Sequence, residues 1–124
     1  FYRQTTERGY IEVDGSSTNY ITSSDYRLKE NIVDLDNGIT RLKQLKPRRF
    51  NFIGQGDTRD GFIAHEVTAV PEAVSGEKDA VDENGKIIQQ GLDLAKIVPL
   101  LTAALQEAVT KIEALEARVT TLEE

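Results

Sequence analysis

The sequence predicts an α+β chain in which a small mixed globular part, made of short β-hairpins and helices, carries a C-terminal coiled-coil helix. Two observations predict it. Val98, Leu101, Leu105, Ala108, Ile112, Leu115, Val119 and Leu122 recur at alternating spacings of three and four, a seam of about three and a half heptads. Upstream, short apolar and β-branched runs are separated by clusters such as Asp14-Gly15-Ser16-Ser17 and Asp82-Glu83-Asn84-Gly85, the pattern of hairpins closed by turns.

Composition narrows the function classes. With 39% hydrophobic and 6% aromatic residues in 124, the core is modest, and burial between subunits would make up the deficit. The absence of Cys excludes disulfides, thiolate chemistry and Cys-based zinc sites. No signal peptide and no apolar run near the ~20 residues of a membrane span is present. A net charge of −6 argues against nucleic acid as the main partner. No Met occurs, even at position 1, so a piece of a longer polypeptide is expected.

In chain order, Tyr10 to Val13 and Asn19 to Thr22 read as a hairpin, or as two strand ends of a β-rich fibre. Ser24-Asp25-Tyr26-Arg27-Leu28-Lys29 reads as a helix start, with Ser24 or Asp25 accepting the free N–H groups of the first turn. A second reading pairs the Ser24 hydroxyl with the Lys29 amine as a serine–lysine dyad. Five residues along a helix would set these side chains about 140° apart around its axis. Ser24 must therefore lie in the turn before the helix, or Lys29 must serve a neighbouring subunit. A lysine base must also be partly neutral, and Arg27 is a candidate source of the positive charge that favours this.

Ile32, Leu35, Ile39, Leu42 and Leu45 predict an amphipathic helix in the later part of this stretch, interrupted at Asp36-Asn37-Gly38, with Asn37 as a candidate cap and Pro47 as the stop. Arg41, Lys43, Lys46, Arg48 and Arg49 form a basic run without aromatic platforms, which favours a solvated face paired with acids over a nucleic-acid surface. Phe50 to Ile53 and Gly61 to Ala64 read as paired strands. His65-Glu66 opens a short helix that Pro71 ends. No second His exists, so the two-His zinc motif is absent. An EF-hand fails on its missing acids, and no metal or other cofactor is expected. Ala80-Val81 and Lys86 to Ile88 flank the Asn84-Gly85 hairpin turn.

In the last segment, a positions at Val98, Leu105, Ile112 and Val119 put Lys111 and Arg118 at g, and Glu116 and Glu123 at e. Those charges suit parallel, in-register association. At ~1.5 Å per residue the seam is about 37 Å long. β-branched residues at a with Leu at d usually favour two strands. Pro99 predicts a kink or a helix start near it, with Asp93 as the alternative start.

Ser24 to Ile32, read as Ser-Asp-x-Arg-Leu-Lys-x-Asn-Ile, resembles the start of the C-terminal intramolecular chaperone domains of bacteriophage tailspikes and tail fibres, the endosialidase type. The likeness continues through Gly61 to Val67, Val70 to Val74 and Leu94 to Glu107. It implies a parallel homotrimer that helps the preceding fibre fold and then cuts itself off between Ser24 and Asp25. Residues 1–24 would then end the β-rich fibre region, 25–124 would be the chaperone, and 94–124 its trimerisation helix. Ser24 and Lys29 would be catalytic, with Arg27, Asn31, His65 and Glu66 as candidate supports. The partners implied are two further copies and the N-terminal fibre of the same chain, with no nucleic acid, membrane or small-molecule substrate. The precursor would fold in the host bacterial cytoplasm, and the fibre would end in the virion tail. The alternative is a structural trimerisation or attachment module without proteolysis.

Overall fold

The computed structural model describes residues 8–124 in full and, of the first seven, the backbone of residues 2–3 and 6–7. The chain divides into two compact units, residues 1–34 and 35–124.

In the first unit, β1 (Tyr2–Arg3) pairs antiparallel with β2 (Thr6–Glu7). The expected hairpin follows as β3 (Gly9–Val13) and β4 (Thr18–Thr22), with Ile11 opposite Tyr20 and Tyr10 opposite Ile21. Its turn is closed by Asp14, whose carboxylate accepts the Ser16 and Ser17 N–H groups at 2.8 Å each. Those backbone donors, with the two serine hydroxyls, hold the Asp14 carboxyl below the usual carboxylate range. Beyond the hairpin, no α-helix starts at Ser24. A single 3₁₀ turn, Tyr26–Leu28, ends at Lys29, which is extended, and Asn31 then takes a left-handed conformation at φ 54° that Asn tolerates better than most residues.

The helix predicted in the later part of Ile32 to Leu45 is α1 (Gly38–Leu42), which begins at the predicted break. Asn37 stands at its start but at φ 54°, without a side-chain capping bond. The first turn is satisfied from elsewhere: the Glu107 carboxylate accepts the Ile39 N–H at 2.9 Å, filling a helix N-terminus that has no internal acceptors. Gly38 is buried against the long helix, and a Cβ there would stand 2.7 Å from the Ala104 N atom. These contacts, 68 residues away in sequence for Glu107, decide where α1 begins; the apolar spacing alone does not.

The strands predicted at 50–53 and 61–64 are shifted. β5 (Arg48–Phe50) pairs with β6 (Arg59–Gly61), Arg49 facing Asp60. Phe52 instead opens a turn, with the Gln55 N–H donating to its carbonyl at 2.9 Å and Gly54 at φ +84°. Pro71 does not end the His65-Glu66 helix. That element is the 3₁₀ turn Ala64–Glu66, closed at Val67, and Pro71 begins another, Pro71–Ala73, where its lack of an N–H costs nothing. β7 (Val74–Ser75) and β8 (Gly91–Leu92) pair. Between them lies the predicted Asn84-Gly85 hairpin, closed by a Val81–Ile87 bridge and by Asp82, which accepts the Asn84 and Lys86 N–H groups.

Both starts proposed for the last helix are used. Asp93 caps the 3₁₀ turn Leu94–Ile97 by accepting the Ala95 N–H, and α2 (Val98–Glu123) follows with Pro99 in its first turn. The core is small: Val67, Ala69, Val70, Ala73, Ile97 and Leu100, flanked by Leu45, Phe62, Val74 and Leu92. α2 uses one stripe for it, with Leu100 and Ala104 each 1% exposed. The neighbouring stripe holds the heptad residues. Leu105 is 67% exposed and Leu122 83%, and Val98, Leu101, Ile112, Leu115 and Val119 are exposed as well; Ala108 is half-buried.

Candidate active site

Ser24 and Lys29 meet. The Lys29 amine donates to Ser24 Oγ at 2.7 Å, a contact that a continuous helix would not allow. It forms because only Tyr26–Leu28 is helical and Lys29 is extended, at φ −120° and ψ 147°. The 3₁₀ turn is tied by the Leu28 N–H to the Asp25 carbonyl and the Lys29 N–H to the Tyr26 carbonyl, both 3.1 Å. Ser24 and Lys29 are both exposed in the single chain.

Of the two candidate caps, Asp25 is the one used. Its carboxylate accepts the Arg27 N–H at 2.9 Å and the Arg27 side chain as a fork, Nε at 3.0 Å and Nη2 at 2.8 Å. The guanidinium bonds first, and the backbone N–H second, hold the Asp25 carboxyl below the usual carboxylate range. Arg27, the candidate source of positive charge near Lys29, forks onto Asp25, as a planar guanidinium matches a carboxylate.

The remaining candidates lie as follows. Asn31 supplies the left-handed turn two residues after Lys29. His65 is exposed, and Glu66 accepts a fork from Arg48 at 3.1 and 2.8 Å, which lowers its pKa. Both belong to the unit 35–124. The basic run serves the fold in the same way. Arg41 donates to the Ala69 carbonyl at 2.6 Å, and Arg49 forks onto Asp60. Among the described residues, no group of His, Cys, Asp or Glu could hold a metal ion. Nor, among the described residues, is any helix long and apolar enough to cross a membrane.

Sequence reasoning missed Glu107 and Gly38, which dock α1 on α2. Nothing local in Glu107 distinguishes it from the other helix-face acids. Gly38 was visible only as a turn signal.

The family model described as chaperone of endosialidase, which carries a peptidase name, matches residues 24–75. Residues 24–75 are thus similar to that family. The match begins at Ser24 and includes the Gly61 to Val67 and Val70 to Val74 motifs; it stops before Leu94 to Glu107. The family's description names a chaperone, and its name a peptidase. No curated protein matches the chain.

Proposed function

We propose that the chain is a homotrimeric intramolecular chaperone of a phage tail fibre or tailspike that cuts itself once, between Ser24 and Asp25. The observation that carries the cut is the 2.7 Å contact between Lys29 Nζ and Ser24 Oγ at the first residue of the family match. A neutral Lys29 takes the proton from the attacking oxygen; the Ser24 carbonyl carbon gains that oxygen and loses the Asp25 nitrogen, which leaves protonated. Attack by Ser24 on its own carbonyl would close a four-membered ring. The attacking oxygen therefore belongs to a water held at the Ser24–Lys29 pair, or to Ser24 of a neighbouring copy.

The exposed heptad stripe supports the trimer. A small core on one stripe of α2 and a row of apolar side chains on the next leave burial between copies as the stabilising term. A coiled coil joining three chains early raises their effective concentration and offsets the slow non-local pairing of a β-rich fibre. The cut then removes the element that could guide refolding. The precursor folds in the host bacterial cytoplasm, the fibre enters the virion tail, and the chaperone is released. Sedimentation equilibrium with denaturing mass spectrometry tests this: a trimer containing two fragments is expected. An uncut trimer would make the chain a purely structural module, and a monomer would remove both parts of the proposal.

A further inference from the structure

We propose that Arg27 is a positioning residue for the cut: by forking onto Asp25 it closes the turn that returns Lys29 to Ser24. The inference rests on the proposed self-cleavage but makes its own claim about geometry. Asp25 follows the bond to be cut, and its carboxylate is held by three donors of Arg27, the backbone N–H, Nε and Nη2, at 2.8 to 3.0 Å. Only three residues are helical, Tyr26–Leu28, too few to stand on their own backbone bonds. The turn spans the distance between the dyad's two members, so whatever stiffens it sets where the Lys29 amine lies. Both side chains are exposed, so a single-point ion pair would contribute little. A bidentate fork that also ties the Arg27 N–H fixes direction as well as distance. Arg27 touches neither Ser24 nor the reacting carbonyl. It acts through Asp25.

The test compares Arg27→Ala, Arg27→Lys and Asp25→Asn with the parent chain by two readouts. The first is the rate of fragment appearance. The second is the rate at which Lys29, before cutting has proceeded, reacts with an acylating reagent, followed on its own peptide against the other lysines. Arg27→Ala should slow cutting by about tenfold to a hundredfold, the range for a misplaced catalytic group, and should change Lys29 labelling by severalfold. Arg27→Lys keeps the charge without the fork and should recover only a minor part of the rate. In the Asp25→Asn background, Arg27→Ala should add less than it does alone, because the two residues form one unit. Unchanged Lys29 labelling in Arg27→Ala, or full rescue by Arg27→Lys, overturns the proposal. A parent chain that never cuts, but whose Lys29 labelling responds to Arg27→Ala, overturns the cleavage reading and leaves the positioning role standing.

Discussion

Gly38 lies so close to the backbone of Ala104 that a Cβ on it would stand 2.7 Å from the Ala104 N atom and 2.9 Å from its Cα. This is the point at which α1 meets the C-terminal helix. Gly38→Ala should therefore destabilise the unit 35–124, although alanine favours helix by about 1 kcal/mol. Overpacking of about 1–3 kcal/mol outweighs that gain because the obstructing atoms are backbone. The midpoint of chemical denaturation should fall. An unchanged or raised midpoint would mean the helices separate at little cost.

Glu107 holds the same junction through the Ile39 N–H, and that bond, ahead of the opposing effect of burial, lowers its pKa from 4.5. A carboxyl with a lowered folded pKa contributes stability that is complete above 4.5 and is lost as pH falls through the folded value. Glu107→Gln keeps an oxygen acceptor but no charge. Its denaturation midpoint should fall less than the parent's on going from neutral pH to about pH 3, since one titrating contribution is gone. Parallel curves would exclude Glu107 from the acid response.

Leu115 sits on the exposed heptad stripe, away from the buried core. Leu115→Asp would put a carboxylate from each copy into the seam, where unpartnered burial costs several kcal/mol in total. The variant should sediment as a folded monomer while the parent sediments as a trimer. A parent dimer, the state its β-branched a positions would otherwise favour, would refute the threefold assembly.

A lysine acts as a base only when neutral, so cutting should accelerate as pH is raised. The trimer would be assembled at low pH, moved to a series of higher values, and its fragments followed on denaturing gels. A rate that stays flat between about pH 7 and about pH 10, on a sample still trimeric, would remove Lys29 as the base.

Much of the long-period and turn chemistry was legible in the sequence. The Asn84-Gly85 hairpin and the Asp14 turn follow from side chains that make their own backbone bonds. α2 follows from a repeat long enough to be unambiguous. The short elements were not legible in the same way. Two- and three-residue strands such as β5 and β7 hold too few positions to show alternation. The start of α1 depends on Glu107 and Ala104, distant in sequence. At the candidate site, the residue types and spacing pointed to Ser24 and Lys29, and required Ser24 to lie before any helix or Lys29 to serve another copy; Ser24 does precede the turn Tyr26–Leu28. What brings them together is the early end of that turn at Lys29, and the Asp25–Arg27 fork was hidden because Ser24 was an equally good cap by residue type.

The most direct measurement is the identity of the fragments. The parent chain, dissolved in denaturant and weighed by mass spectrometry, should give a C-terminal fragment whose first residue is Asp25, while Ser24→Ala and Lys29→Ala each give one intact chain that still sediments as a trimer. A parent that remains intact, a fragment that begins at any other residue, or a Lys29→Ala chain that cuts at the parental rate would contradict the account.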